Sequence, residues 1–409
     1  MSELNQYIAR LGAPALPGIH LSLARMEALL AALGHPERQL PPVIHLAGTN
    51  GKGSTLAYLN AIYQAAGYRV HTYTSPHLVR YNERIQLAGK MIEDDVFIAA
   101  IKRVLAVQPT YPVTEFEGLT AAAFLCFSVV EADILLLETG MGGRLDATNT
   151  VPDKLATILT SIGMDHQEFL GRTLTEIAAE KAAIMRAEVP CISAPQQQET
   201  AAVIHAYAVN IGAPLYWANQ EKIALRLALA GVHQQINAAV AVTTIDRLQS
   251  RFPVPESAIS SGLAQAVWPA RLQTLTSGAL VEAWGTRGKV LLDGGHNADA
   301  AAMLAEWLKT QDRPVTLLVG LMARKDAATF LTPFAAASPR ILTIPIPDAP
   351  CHSPESLASV ARILGFSQVE PCASLGDALR QIAGLPDAPA HLLIAGSLYL
   401  AGEILKTHG

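Results

Sequence analysis

Short continuous apolar runs alternate along this chain with stretches in which apolar residues recur at helical spacing, the pattern of an α/β protein. Val43-Ile44-His45-Leu46-Ala47 reads as a buried strand followed by a glycine-rich turn. Helical spacing then runs from about Ser54 to Ala66 and stops at Gly67, a residue suited to a helix C-terminus. Arg69–Tyr73, Asp133–Leu137, Leu155–Thr160 and Pro190–Ser193 are further strand candidates. Leu174–Arg186 has helical spacing, with Thr173 or Thr175 available to cap it. The alternation restarts late, with strands expected over Lys289–Asp293, Val315–Gly320, Ile341–Ile346 and His391–Ala395 and a helix over Ala298–Lys309. Between the two sets, Trp268-Pro-Ala-Arg271-Leu-Gln273 ends a helical pattern in a proline and an extended segment. The pattern therefore predicts two α/β domains, 1–272 and a smaller 273–409, with no repeat of fixed period.

Composition narrows the class. Half of the 409 residues are hydrophobic and 16% are charged, enough apolar material for buried cores and too little charge for a disordered chain. With 30 Lys+Arg against 35 Asp+Glu the net charge is −5, which provides no general attraction to nucleic acid or anionic membrane. Cys126, Cys191, Cys351 and Cys372 are far apart and form no CxxC pair, against a disulfide scaffold or a structural zinc site. The N-terminus, Met1-Ser-Glu-Leu-Asn-Gln-Tyr7, has no basic segment leading into an apolar run. The most apolar region, Ala121–Leu137, is interrupted by Ser128, Glu131 and Asp133, whereas a membrane span needs about 20 mostly apolar residues. The expectation is a cytoplasmic globular protein without membrane or nucleic-acid partners.

The first candidate chemistry lies in Ala47-Gly48-Thr49-Asn50-Gly51-Lys52-Gly53-Ser54-Thr55, between a strand and a helix. Glycines let backbone N–H groups turn toward phosphate oxygens, and a helix N-terminus adds a favourable dipole. Lys52 would neutralise β/γ-phosphates, and a hydroxyl just beyond it would reach Mg²⁺. An ordinary glycine turn is the bland alternative, disfavoured by the strand–loop–helix setting. Gly53 directly after Lys52 departs from the common Walker pattern and argues against a GTPase or kinase. Glu138, at the end of an apolar strand and the start of a glycine-rich turn, is placed where open α/β sheets gather ligands. Its alternative role is a capping or salt-bridged acid.

The spelling Gly48-Thr-Asn-Gly-Lys-Gly-Ser-Thr55 resembles the ATP loop of folylpolyglutamate and dihydrofolate synthases, relatives of the Mur peptidoglycan ligases. Four further blocks follow in family order: Thr74-Ser-Pro-His-Leu-Val-Arg-Tyr-Asn-Glu-Arg84, Leu137-Glu-Thr-Gly-Met-Gly-Gly-Arg-Leu-Asp-Ala-Thr-Asn149, Ser161-Ile-Gly-Met-Asp-His166 with Glu180-Lys-Ala-Ala-Ile184, and Asp293-Gly-Gly-His-Asn297. Gly396-Ser-Leu-Tyr399 extends the resemblance over nearly the whole chain. The resemblance implies a P-loop N-terminal domain, a smaller Rossmann-like α/β C-terminal domain, and an active site in the interdomain cleft. It implies an ATP- and Mg²⁺-dependent ligase that joins L-glutamate to dihydropteroate, or to the γ-carboxylate of a folate's existing glutamate, through an acyl phosphate.

Residue roles carry over position by position. The resemblance implies Thr49, Asn50, Gly51, Lys52, Gly53, Ser54 and Thr55 for ATP, with Asn237 near adenine and Arg271 and Asp293 reaching the nucleotide. It implies Ser54, Ser75, Glu138, His166 and Lys181 for two Mg²⁺ ions, Lys181 as a carbamate. A histidine is an uncomfortable Mg²⁺ ligand, and Asp165 beside His166 could serve instead. Carbamylation needs Lys181 to lose its proton, which burial and nearby cations favour; the alternative is a solvated helix lysine beside Glu180. Phe116, Glu117, Gly118, Leu119, Leu145, Asp146 and Ala147 match pterin-binding segments, with Phe116 to stack on the ring and Asp146 to accept its N–H groups. Ser75–Arg84 resembles the family's mobile folate loop. His296 and Ser397 are implied near the phosphates and incoming glutamate, and Lys52, Lys181, Arg271 and His296 carry the catalysis. Ala298 stands where the family usually has proline, a loss of stiffness at a helix start. The family also implies a monomer and allows a monovalent cation. Competing readings are a monofunctional folylpolyglutamate synthase, a Mur-type peptide ligase and a non-catalytic ATP-binding protein.

Overall fold

The computed structural model describes residues 2–12, 21–219, 226–337, 339–385, 388 and 390–408. Met1, the first residue of the N-terminal segment read above, lies outside the described residues. The chain divides into two compact units, Met1–Ala228 with Gln235–Val267, and Leu229–Gln234 with Trp268–Gly409. Contacts thus part the chain at 267/268, five residues before the sequence boundary, and assign the short segment 229–234 to the second unit.

The first unit is built on β1 (Val43–Ala47), β2 (Val70–Tyr73), β3 (Ile85–Leu87), β4 (Lys90–Met91), β5 (Ile134–Glu138), β6 (Ala156–Leu159), β7 (Cys191–Ser193) and β8 (Leu215–Trp217). Their order is β4-β3-β2-β5-β1-β6-β7-β8. β2 to β8 through β5, β1, β6 and β7 run parallel, and β3 and β4 form an antiparallel edge. The central parallel strands β5, β1 and β6 are largely apolar and buried along their whole length because both faces are covered. Leu135 and Leu137 of β5 pack with Phe97, Ile101 and Phe124 from helices Asp94–Val107 and Glu115–Phe127. Leu159 and Cys191 pack with Ile177 and Ile204 from helices Leu174–Ala182 and Gln198–Ile211. Each such fully buried aliphatic side chain contributes about 1.5–3 kcal/mol relative to exposure.

The Leu174 helix starts at the cap Thr173, whose hydroxyl and the Glu176 carboxylate complete a capping box. It ends at Ala182 rather than at Arg186 as the spacing predicts. Past Ala182 the chain tightens into i→i+3 bonds, Ile184 N–H to Lys181 O and Met185 N–H to Ala182 O, and Arg186 folds back to donate to the Ala183, Ile184 and Met185 carbonyls and to Asn149, acceptors that lie beyond the helix.

The second unit carries β9 (Gln273–Leu275), β10 (Val290–Leu292), β11 (Val315–Val319), β12 (Arg340–Thr343), β13 (Val369–Pro371) and β14 (His391–Ala395), ordered β13-β12-β11-β14-β10-β9. All neighbours are parallel except β9, which pairs antiparallel with β10 at the edge. Leu291, Leu317 and Leu393 pack with Ala301, Leu304 and Leu308 of helix Ala298–Lys309 and with Leu357 and Ala361 of helix Pro354–Ile363. Helix Ala298–Lys309 begins at Ala298 without the family's proline, because the Asn297 side chain accepts the Ala300 N–H at 2.9 Å. Among the described residues no helix is long and apolar enough to cross a membrane.

Candidate active site

β1 is the centre of the first unit's site. Its carboxyl end is flanked by those of β5 and β6, and the connections from β1 leave the sheet in a reversed order, the position where open parallel sheets form a ligand crevice. The loop after β1 leads into helix Lys52–Ala65. The Thr49 and Asn50 N–H groups both donate to the Ser161 carbonyl beyond β6, at 2.9 and 3.1 Å, and the Thr49 hydroxyl donates to the Gly163 carbonyl at 3.0 Å. These two residues therefore tie the loop to its neighbour. The first turn of helix Lys52–Ala65, whose N–H groups precede any intrahelical acceptor, supplies donors and a positive dipole end for phosphate. Gly51 has φ 94°, and a Cβ there would collide with the Asn237 carboxamide oxygen. Asn237, from helix Gln234–Leu248, is thus a buried buttress of the loop.

Lys52 Nζ donates to the Gly48 carbonyl at 3.0 Å and lies 3.9 Å from Glu138 Oε1. Glu138 closes β5, is buried, and takes the Ser75 N–H on Oε2 at 3.3 Å. Lys181, in the last turn of its helix, is 4% exposed and also donates to Gly48 O at 3.0 Å. This excludes the solvated-lysine alternative. Burial, and secondarily the charge of Lys52, lowers the Lys181 pKa to about 7, against opposing pulls from Asp165, Asp146 and Glu180. Arg144 pairs with Glu180 at 2.8 Å and so ties the glycine-rich turn after β5 to the Lys181 helix. His166, with φ 50°, starts the short helix Gln167–Leu170, and its N–H donates to Asp165 Oδ1 at 2.8 Å.

Lys52, Ser75, Glu138 and Lys181 are linked to one another or to Gly48 by these contacts, and Ser54 lies in the first turn beside them. Among the described residues no three His, Cys, Asp or Glu side chains gather as a metal-ligand set. One buried carboxylate beside hydroxyls still fits Mg²⁺, which keeps several waters and takes substrate phosphates as ligands rather than filling an all-protein cage.

The pterin-segment residues separate into two groups. The Phe116 ring lies over the Gly140 backbone, 6.3 Å from the Tyr73 ring, at the start of helix Glu115–Phe127. Tyr81 donates to Glu115 at 3.1 Å and so joins the 75–84 loop to that same helix start. Within the loop, the Glu83 carboxylate accepts from the N–H groups of Leu78, Val79 and Arg80 at 2.7–2.9 Å. Glu117, in contrast, is committed to the fold: it closes the Thr114 capping box and pairs with Arg25 at 3.0 Å. Gly118 packs against Leu11, and Leu119 is in the core.

Leu145 is half-buried and Ala147 buried, on either side of Asp146. Asp146 is buried, and burial raises its pKa. It accepts from the Met141 N–H and the Thr148 hydroxyl, and that hydroxyl accepts in turn from His45 Nε2 at 2.8 Å. His45 lies inside β1, and burial, followed by the charges of Lys154 and Arg186, holds its pKa well below the usual value. Sequence reading missed this relay because a histidine within an apolar strand carries no motif.

In the second unit, Asp293 follows β10 and its carboxylate accepts from the N–H groups of Leu272 at 2.9 Å and Gly295 at 2.7 Å. His296 Nδ1–H donates to the Gly294 carbonyl at 2.9 Å, which orients the ring. Gly396 N–H donates to Gly295 O at 2.9 Å, bringing the loop that contains Ser397 beside this turn. Ser397 itself is buried and accepts the Tyr399 N–H at 3.1 Å. Arg271 sits between Ala270 (φ 55°) and Leu272 (φ 44°), two left-handed non-glycine residues that cost about 1–3 kcal/mol each. His233, absent from the sequence reading, is electrostatically linked to Asp293 and Arg271, and burial lowers its pKa. A cavity of about 350 Å³ lies at the opposite, amino ends of β10–β12, lined by Arg287, Arg313 and Arg340. Arg287 there donates to the Ala283, Trp284 and Leu385 carbonyls, at the C-terminal ends of two helices, a helix-capping role.

A glycine loop at a sheet crevice, with Lys52 beside a buried acid and Lys181 buried against the same carbonyl, is an arrangement suited to an ATP-dependent ligase. Residues 279–407 match the family model described as dihydrofolate synthetase, C-terminal domain. Over 427 aligned positions and 95% of both chains, the sequence is 34% identical to dihydrofolate synthase/folylpolyglutamate synthase of Bacillus subtilis. It is 33% identical to the Escherichia coli K12 protein of the same name, over 76% of this chain and 74% of that one. The structure of E. coli FolC in complex with DHPP and ADP matches with a TM-score of 0.88 at 29% identity, covering 99% of this chain and 97% of that one. The bifunctional Yersinia pestis synthase complexed with AMPPNP and Mn ion matches with a TM-score of 0.86 at 27% identity, covering 99% and 98%. The chain belongs to the dihydrofolate synthase/folylpolyglutamate synthase family of ligases.

Proposed function

We propose that the protein adds L-glutamate to dihydropteroate, forming dihydrofolate, and to the γ-carboxylate of tetrahydrofolate, using ATP. The observation that carries this reading is the meeting of Lys52 and Lys181 at the Gly48 carbonyl beside Glu138. The acceptor carboxylate attacks the γ-phosphorus of ATP, giving an acyl phosphate and ADP. The glutamate amine then attacks the acyl carbon, the C–O bond to phosphate breaks, the amide forms, and phosphate and a proton leave. Mg²⁺ would supply charge neutralisation for the clustered phosphates.

The chain's own residues position and neutralise. The first turn of helix Lys52–Ala65 orients the phosphates, and Lys52 balances charge on the γ-phosphoryl group. Glu138, Ser54 and Ser75 would hold one ion. Lys181, as a carbamate, and His166 or its neighbour Asp165 would hold a second. Arg271 is assigned to transition-state charge, Asp293 to the nucleotide side through the backbone it holds, and His296 and Ser397 to the incoming glutamate. Phe116 and Asp146, with the 75–84 loop, are assigned to the pterin. The joining of that loop to the Phe116 helix by Tyr81 and Glu115 supports the bifunctional reading.

The test is Mg·ATP turnover with glutamate and, in parallel, dihydropteroate, tetrahydrofolate or no acceptor, with product masses recorded. A gain of one glutamate on both acceptors supports the bifunctional ligase. Gain on tetrahydrofolate alone selects polyglutamylation only. ATP binding without gain on either sinks the proposal.

A further inference from the structure

We propose that Gln273 is a positioning residue of the ligase reaction, acting through Arg271; the inference rests on the reading of Arg271 as the group that stabilises charge on the transferred phosphoryl. Ala270 and Leu272 both hold left-handed conformations without being glycine, and Arg271 is the residue between them. Such a backbone persists only where its surroundings over-determine it. Here four bonds do so. Gln273 Oε1 accepts the Ala270 N–H at 2.9 Å. The Ala270 carbonyl accepts the Gly294 N–H at 2.9 Å and the Arg271 guanidinium at 2.8 Å. Asp293 Oδ2 accepts the Leu272 N–H at 2.9 Å. The side chains of Ala270 and Leu272 are buried, so the turn cannot swing as a rigid piece.

The consequence is geometric. The peptide groups on both sides of Ala270 are held, one by Gln273 and the other by Gly294, and the second supplies the oxygen against which the Arg271 guanidinium is aimed. Without the Gln273 carboxamide, Ala270 relaxes toward an ordinary φ, its carbonyl rotates, and Arg271 loses its aim while retaining its charge. Gln273 is also the first residue of the edge strand β9, so its backbone is fixed by pairing with Leu292 of β10. Its side chain therefore works from a rigid base, the arrangement a site needs to place a group within a fraction of an ångström.

The experiment measures glutamate-dependent ADP release by the full chain, with Gln273→Leu and Gln273→Glu each made alone and with Arg271→Ala. Gln273→Leu is expected to lower kcat at least about tenfold with less than about threefold change in KM for ATP. Gln273→Glu, which keeps the acceptor oxygen, should remain within about threefold of the parent. With Arg271→Ala present, which by itself lowers kcat, Gln273→Leu should cost nothing further, the non-additivity of residues acting as one unit. Adding Ala270→Gly to Gln273→Leu should restore part of the lost kcat, since glycine takes positive φ freely. Equal losses from Gln273→Leu with and without an impaired Arg271→Ala overturn the positioning role and leave Arg271's own role standing. Full activity in Arg271→Ala overturns both, and full activity in Gln273→Leu overturns the proposal alone. Where Gln273→Leu fails to fold by circular dichroism, Gln273→Asn, whose carboxamide is withdrawn by one methylene, takes its place in every comparison.

Discussion

Lys52 and Lys181 donate to a single acceptor, the Gly48 carbonyl, each at 3.0 Å. Lys52 lies beside the Glu138 carboxylate, whereas Lys181 is enclosed and has the Lys52 charge facing it. One shared oxygen thus sets two lysines to different tasks. The first keeps the Glu138 carboxylate beside it, and the second is brought to a pKa of about 7, where a neutral amine is available to react.

The titration of Lys181 has a stability signature in the unmodified protein. Between about pH 7 and its ordinary value of 10.5, the unfolded chain holds a proton on this amine that the folded chain does not. Stability attributable to this group therefore rises as pH increases through that window and is lost as pH falls toward 7. Urea unfolding across pH 7–10 should show the rise in the parent and a flatter profile in Lys181→Met. Identical profiles would contradict the burial argument.

Carbamylation has its own readout. Incubation with ¹³C-bicarbonate near pH 8 should give one carbamate carbon resonance that Lys181→Ala lacks. Lys181→Ala should lose turnover, and short carboxylic acids should restore part of it by standing in for the carbamate. Full activity of Lys181→Ala without any added acid would remove the modification from the mechanism.

Lys52→Ala should reduce turnover by about 10²–10³-fold or more, the usual scale for deleting a preorganised group that meets developing charge. It should also raise the Lys181 pKa, because a cation facing that amine is gone. Turnover near that of the parent would sink the phosphate-loop assignment.

Gly51→Ala tests the loop geometry. The added methyl meets the Asn237 carboxamide at a positive φ, so the loop must move or strain by about 1–3 kcal/mol. The expected result is at least a tenfold weaker ATP affinity by isothermal titration, with Asn237→Ala in addition recovering part of the loss. Unchanged affinity would show that the loop is free to adjust.

Glu117→Ala should behave as a stability variant. It removes a capping-box acceptor and leaves Arg25 half-buried beside the core, a loss of about 2–3 kcal/mol. Melting should fall by several degrees, while KM for dihydropteroate changes little in the protein that remains folded. A large KM effect with an unchanged melting temperature would place Glu117 in the substrate site instead.

Much of the candidate site is legible in the sequence. The strand–glycine loop–helix order around Lys52 is local, and local order follows from residue pattern. Glu138 was legible for the same reason, since an acid ending an apolar strand stands out. His45, His233 and Gln273 were not, because each acts by touching a residue far along the chain or by holding a peptide group, and neither leaves a pattern in sequence. The helical spacing of Leu174–Arg186 runs past the end of the Lys181 helix, because the chain tightens after Ala182 into i→i+3 bonds onto Lys181 and Ala182, and Arg186 braces that turn through three carbonyls and Asn149.

By itself the sequence determined the α/β alternation, the nucleotide loop and the family, since periodicity, glycine placement and motif order are properties of neighbours along the chain. Only the tertiary structure decided that Lys181 is buried against Gly48, that Glu117 is an anchor of the fold, and that Asp293 holds the backbone around Arg271. Those outcomes depend on which distant groups share one enclosed space. Desolvation, close approach and backbone strain arise there, once packing has brought the groups together.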